Sequence, residues 1–302
     1  MKKRILYIIG NGFDLYHGIS SRYADFEKYV EIHDRDLHST IEQYFDSYLY
    51  WSSIEQALAD FDADLLKQNS LNFLMSYGAD DWSDSYHHDY QNEINSVTEK
   101  LSGTLIGHFK CWLCQLDIPD SFVFKEKLNY IDNDGIYLTF NYTNTLNKIY
   151  SVPNSRILFI HGKAVDEDSN LILGHAWNPK ERQKMYNDDY SEQDIRVIEG
   201  NEIIDSYFER TYKPTHEIIN NNLCFFAKLH DIEIIYILGH SISKVDMEYF
   251  KKIFQSIDSS TVQWKVSYYD DSELDDHKST MRKLGLSDSL TEFHKLSNMP
   301  KS

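Results

Sequence analysis

Long apolar runs are missing from this chain. The longest, such as Ile5 to Ile9, are a handful of residues, well short of the roughly 18 that a membrane-spanning helix needs. Lys2-Lys3-Arg4 precede that run, but five apolar residues followed at once by Gly-Asn-Gly supply neither the hydrophobic region nor the cleavage site of a secretory signal. Cysteine is scarce. Cys111, Cys114 and Cys224 cannot build a disulfide framework and suit a reducing compartment, so the expected location is the cytoplasm. Positive charge is in deficit: 30 Lys+Arg stand against 48 Asp+Glu, a net charge of −18. Such a surface repels phosphodiester backbones and anionic headgroups, which excludes a nucleic-acid coat or a membrane-bound role and leaves at most a local nucleic-acid groove. Glycine is sparing as well, at 12 residues, and Gly10, Gly12, Gly18, Gly162, Gly174 and Gly239 fall at or soon after the ends of short apolar runs.

What is present is core material. Hydrophobic residues make up 41% and aromatics 14%, which excludes a disordered chain. Ile5–Ile9, Ile136–Phe140, Ile157–Ile160, Ile234–Leu238 and Trp264–Tyr269 read as short strands, β-branched or aromatic and bounded by Gly, Asn, Asp or His. Runs apolar on both faces mean a sheet covered on both sides, and helical patterns lie between them. The expected fold is therefore α/β with an open, mainly parallel, Rossmann-like sheet. About 125 residues separate the first two strands, far more than a simple crossover needs. They predict a helical insertion over 31–130, a cap within a single 1–302 domain. Within it Trp51, Ile54, Leu58, Phe61 and Leu65 form one stripe and Val97, Leu101, Leu105, Phe109 and Leu113 another. Ser243-Lys244-Val245-Asp246 is a capping-box pattern that places a helix start near Ser243. A polar, acidic loop is expected over 187–200, and the tail from Leu296 carries no pattern.

Ligands of open α/β sheets bind outside the carboxyl ends of the strands. Four expected strand ends here carry polar clusters: Gly10-Asn11-Gly12-Phe13-Asp14, Asn141-Tyr142-Thr143-Asn144, His161-Gly162 and Gly239-His240-Ser241. Gly10-x-Gly12 is half of a dinucleotide fingerprint and lacks its third glycine, so alone it fits a tight turn as well as a ligand loop. A lone His beside an apolar run is more often structural than functional. The conjunction shifts the balance, because consecutive strands would deliver Asn141 and His161 beside the Gly10 loop.

These blocks, with Trp51-Ser52-x-Ile54-Glu55 and Leu238-Gly239-His240-Ser241-x-Ser243-x-x-Asp246, resemble in order the motifs of the AbiH phage abortive-infection proteins. The likeness runs from residue 5 to about residue 255. More remotely the chain resembles sirtuin-like NAD-binding domains. The resemblance implies an antiviral abortive-infection effector that binds NAD and cleaves its nicotinamide–ribose bond without a metal. Asn141 would orient the ribose and the attacking water, His161 would be the general base, and Asp14 would assist. Gly10, Asn11, Gly12 and Phe13, with Gly239, His240, Ser241 and Asp246, would hold the nucleotide.

Two departures matter. A carboxylate at a phosphate cradle is unfavourable, and Phe13-Asp14 stand where sirtuin-like loops have small residues. The cysteine quartet of protein-deacetylating sirtuins is missing, so protein deacetylation is not expected, and Cys111 and Cys114 read as buried thiols. A nucleotide-binding sensor without turnover is one alternative. A metal-dependent nuclease or phosphohydrolase using His161, His175, His240 and Asp14 is another, although no H-x-H or H-E-x-x-H spacing occurs. Glu55 would face the cleft by resemblance. A homo-oligomer or a defence-system partner is compatible with either reading.

Overall fold

All five expected strands form, and a sixth joins them. β1 (Ile5–Ile9), β2 (Ile136–Thr139), β3 (Ile157–Phe159), β4 (Ile234–Leu238), β5 (Gln263–Tyr268) and β6 (Thr291–Lys295) make one sheet in the order β3-β2-β1-β4-β5-β6. Every neighbouring pair is parallel. The expected open parallel α/β sheet is therefore correct, and its order is that of the doubly wound dinucleotide folds, with the reversal between β1 and β4. β6 escaped the apolar pattern because Thr-Glu-Phe-His-Lys is mostly polar. Among the described residues it pairs only with β5, and charged residues on an edge strand discourage further pairing. The computed structural model describes residues 3–45, 51, 53–80, 82–181 and 194–300.

The chain divides into two compact units. The first comprises Met1–Arg22, Lys110–Ile172 and Thr215–Ser302 and holds the sheet; the second comprises Tyr23–Phe109 and Leu173–Pro214. β1 and β4 are buried along their whole length, as apolar runs covered on both faces require. Leu6, Ile8, Leu138, Ile235, Ile237, Trp264 and Val266 feed one core, into which helix Met247–Ser256 presses Tyr249, Phe250 and Ile253. Ile9, Leu238 and three tyrosines feed the other, covered by Leu146, Ile149 and Tyr150 of helix Thr145–Tyr150. Tyr7 stacks between Tyr137 at 4.7 Å and Tyr236 at 5.2 Å. Their hydroxyls are satisfied by backbone carbonyls: Tyr7 donates to Tyr130 at 2.7 Å, Tyr137 to Asp132 at 2.8 Å and Tyr236 to Pro300 at 2.9 Å. Burying three phenols thus leaves no polar group stranded and ties two loops to the sheet. The helix start near Ser243 is confirmed with a difference. A 3₁₀ turn, Lys244–Asp246, comes first, and the Ser243 hydroxyl donates to the Asp246 carboxylate at 3.3 Å rather than capping a backbone amide.

The second unit is helical. Tyr23–His33, Arg35–Tyr44, Ile54–Ala59, Ala63–Ser70, Asp89–Glu99 and Ile195–Arg210 are helices. The stripe expected through Leu65 is interrupted, because Asp62 caps a new helix by accepting from Leu65 N–H at 2.8 Å, and Leu66 rather than Leu65 is buried. Val97, Leu101, Leu105 and Phe109 are buried as expected, with a π turn over Lys100–Thr104. The loop expected up to residue 200 is a helix from Ile195 onward, started by the Asp194 side chain; 187–193, Ser52 and Tyr48 lie outside the described residues. Gly200 sits mid-helix because a Cβ there would lie 2.6 Å from the Tyr90 ring, so helices Asp89–Glu99 and Ile195–Arg210 meet closely at this point. Among the described residues no helix is long and apolar enough to cross a membrane.

Candidate active site

The strand order sets where a site can form. The loops after β1 and β4 flank the reversal point, and they pack directly on each other. Gly10 N–H bonds Leu238 O at 3.0 Å, and Gly12 N–H bonds Gly239 O at 2.7 Å. A Cβ on Gly10 would lie 2.5 Å from His240 Cα, and one on Gly239, whose φ is +63°, would lie 2.1 Å from Phe13 N. Both positions therefore need glycine for close backbone approach, and at Gly239 also for the left-handed conformation. The amides of Gly10, Gly12 and Phe13 are all engaged within the protein, Phe13 N–H bonding Gly10 O. The exposed Asn11 has its side chain clipped back, donating to Ser21 O at 2.8 Å and accepting from Ser21 Oγ at 2.6 Å. Phe13 is fully buried and belongs to the core.

Asp14 follows Phe13 into the interior, 1% exposed. The Thr143 hydroxyl donates to its Oδ2 at 2.6 Å and lies 3.0 Å from the Thr145 hydroxyl. Burial pushes the carboxyl up to about 6 despite the opposing hydrogen bonds of Thr143, Thr145 and Asn141. Asn141 donates its side-chain amide to Gly10 O at 3.0 Å as well. Its side-chain amide thus ties the turn after β2 to the backbone at the end of β1. The residues brought together here are Asp14, from the helix Asn11–Tyr16 that follows β1, and Asn141, Thr143 and Thr145, from the turn and helix that follow β2.

Asn141 and His161 stand two residues past the paired Thr139 and Phe159 of adjacent strands, so the expected juxtaposition of the strand ends exists. The side chains then take different partners. His161 Nε2 lies 4.0 Å from Asp246 Oδ1, and His240 Nε2 lies 3.6 Å from Asp246 Oδ2. Phe140, the residue before Asn141, sets its ring 5.4 Å from His161 and 4.3 Å from His240, both edge-on. Asn141, His161, His240 and Asp246 are all buried, whereas Ser241 is exposed. Gly162, at φ +93°, turns the chain after His161 against Asn170.

The remaining expected residues are placed elsewhere. In the second unit, His175 is buried with its ring nitrogens 3.1 Å from Trp177 O and 3.0 Å from Phe208 O, and burial holds it down to about 4. Glu55 pairs with Lys213 at 2.9 Å, and Lys213 is fully buried. Nothing around Thr-Tyr-Lys213-Pro signals a buried lysine, because its partner is about 160 residues away in sequence. Cys111 is half-buried and Cys114 exposed, correcting the reading of both as buried thiols: the helix face they share is not the packed one. Among the described residues no cluster of three or more His, Cys, Asp or Glu is placed to hold a metal ion.

A parallel sheet with this strand order, and buried titratable side chains gathered where the order reverses, defines an open doubly wound α/β protein with its polar cluster at the nucleotide-binding position of such folds. The family model for bacteriophage abortive infection AbiH matches residues 6–268. The chain belongs to that family, and a role in phage abortive infection follows from it. No curated protein matches the sequence.

Proposed function

We propose that this chain is a cytoplasmic abortive-infection effector that binds NAD at the carboxyl edge of the sheet and hydrolyses its nicotinamide–ribose bond without a metal. The observation that supports the reading is that two buried polar sets, Asp14 with Asn141 and Asp246 with His161 and His240, follow the carboxyl ends of the neighbouring strands β3, β2, β1 and β4. Cleavage passes through an oxocarbenium-like state, so the site must orient water at the anomeric carbon and accept a proton as nicotinamide leaves. Asn141 suits the orienting role, since its amide is pinned by Gly10 O and its oxygen can accept from the water. Asp14, held by the Thr143 hydroxyl, is the neighbouring buried carboxyl that would assist. His161 takes the proton from the water or from a ribose hydroxyl. Gly10 and the start of helix Asn11–Tyr16 contribute a rigid strand-to-helix turn rather than a set of free amides, with Phe13 in the core behind it, and the exposed Asn11 and Ser241 mark the rim against which the dinucleotide would lie.

The full-length protein mixed with NAD is expected to release nicotinamide and ADP-ribose, quantified by chromatography, and Asn141→Ala and His161→Ala are each expected to lower the rate by about 10²–10⁴-fold. Undiminished release in both variants rejects the assignment of roles. NAD binding without any turnover rejects the hydrolase and selects a sensor instead.

A further inference from the structure

We propose that the groove between helices Asp89–Glu99 and Ile195–Arg210 of the second unit binds an aliphatic diamine, with Glu199 and Glu202 taking its ammonium groups. The site uses none of the residues assigned to the nucleotide, so the proposal stands apart from the NAD reading.

The groove follows from how the two helices meet. They touch at Gly200, where the missing Cβ admits the ring of Tyr90 and the end of Ile94. Residues beside that contact line a cavity of about 440 Å³, within the size range of small-molecule sites. Gln91, Asn92 and Asn95 stand on one helix and Glu199, Glu202 and Ser206 on the other, at the three- and four-residue spacings that keep side chains on one face. Ile203 is the one apolar residue of the lining. The groove therefore suits a polar ligand.

Its charge is set by what is already paired. Arg210, the last residue of its helix, forms a salt bridge with Glu99, the last residue of the other, and is neutralised there. Among the described residues no lysine or arginine pairs with Glu199 or Glu202. Two carboxylates one helical turn apart repel each other, and they repel a phosphate or carboxylate ligand equally. A divalent metal ion needs more oxygen donors than this pair, and among the described residues no third His, Cys, Asp or Glu joins it. An organic cation remains.

Gln91 indicates where that cation sits. The residue is 6% exposed, its Nε2 donates to Glu199 Oε2 at 2.7 Å, and its Oε1 has no hydrogen-bond partner among the described residues. The bond to a carboxylate identifies the nitrogen, because the flipped amide would set two acceptors together. A buried acceptor without a donor is costly. An ammonium group, with three N–H donors, satisfies that oxygen and Glu199 together. The second ammonium then reaches Glu202, whose Cβ lies about 5–6 Å from that of Glu199 at this spacing, a span that a four-carbon chain covers. Asn92, Asn95 and Ser206 offer further oxygens along the groove.

The test is calorimetric titration of the full-length protein with putrescine, and with butanediol as its uncharged match. Putrescine is expected to bind at one site per chain and the diol not at all. Glu199→Gln and Glu202→Gln, which keep the side-chain volume and should keep the Tm, are each expected to weaken putrescine about tenfold. A chain of net charge −18 also gathers cations loosely over its surface. The double variant Asp275→Asn/Asp276→Asn, on the exposed face of helix Asp271–Lys283, removes more charge elsewhere and should leave the affinity unchanged. No binding by the wild type, an equal loss in that control, or full affinity in both glutamate variants overturns the proposal. A lysine-rich peptide that binds more tightly than putrescine, and is lost with the same two glutamates, overturns it in favour of a protein partner.

Discussion

Asp14 should weaken the protein at the pH where it would act. Its carboxyl is displaced from 3.8 to about 6 because it is buried. At ~1.36 kcal/mol per pH unit that displacement amounts to about 3 kcal/mol. The direction follows from which form the fold prefers. The native state binds the proton more tightly than the unfolded chain does, so the contribution is fully present below pH 3.8 and is lost as pH rises through about 6. Asp14→Asn removes the ionisation, keeps the volume and leaves an oxygen for the Thr143 hydroxyl. The variant should therefore match the wild type near pH 4 and exceed it by up to about 3 kcal/mol at pH 7.5. With roughly 2.1 cal/mol/K of unfolding entropy per residue over 302 residues, that is about 5 °C in Tm. Thermal unfolding of both proteins at intervals from pH 4 to 8 measures it, and comparison by difference cancels every other titrating group. A variant less stable at pH 7.5, or a difference that does not change with pH, would refute the claim that desolvation of Asp14 dominates. Greater stability with lost nicotinamide release would mark the charge as retained for function.

Other perturbations test the frame. His17 is buried, with Nδ1 2.6 Å from Phe13 O and Nε2 2.7 Å from the Tyr150 hydroxyl, and burial holds its pKa down to about 4 from 6.5. The fold therefore prefers it neutral, and about 3 kcal/mol of stability should disappear as pH falls from 6.5 through 4, an acid loss that a His17→Phe variant would lack on denaturant titration. Tyr150→Phe strands both His17 Nε2 and the Leu128 N–H that bonds the same hydroxyl at 2.9 Å, so urea titration at pH 7.5 should show a loss of about 1–3 kcal/mol. Gly239→Ala forces a Cβ against Phe13 N in a left-handed backbone; expression should yield little folded protein, and recovery of a wild-type Tm would show that the two loops can separate cheaply.

The sheet was legible because β1 and β4 are apolar on both faces, a pattern only a covered parallel strand requires. β6 was not, since an edge strand buries little and its composition answers to solvent. In the helical unit, the periodicity of Val97 to Phe109 was clear, whereas the break at Asp62 hid within an apolar stripe that continues across it. The motif residues were found, but their division of labour was not. Register alone brings Asn141 and His161 level, but that His161 and His240 both lie near Asp246 depends on segments far apart in sequence. Local sequence could not foresee that Gly10, Gly12 and Gly239 serve one another, because the contact joins loops more than 220 residues apart.

That glycine contact has a thermodynamic corollary. Ordering a loop costs about 1–2 kcal/mol per residue, and ligand loops commonly incur it on binding. Here the β1 and β4 loops are stitched together by their own backbones, so that entropy is lost once, during folding. A dinucleotide arriving at this edge would meet a surface already set, and calorimetry should find its association little penalised by configurational entropy.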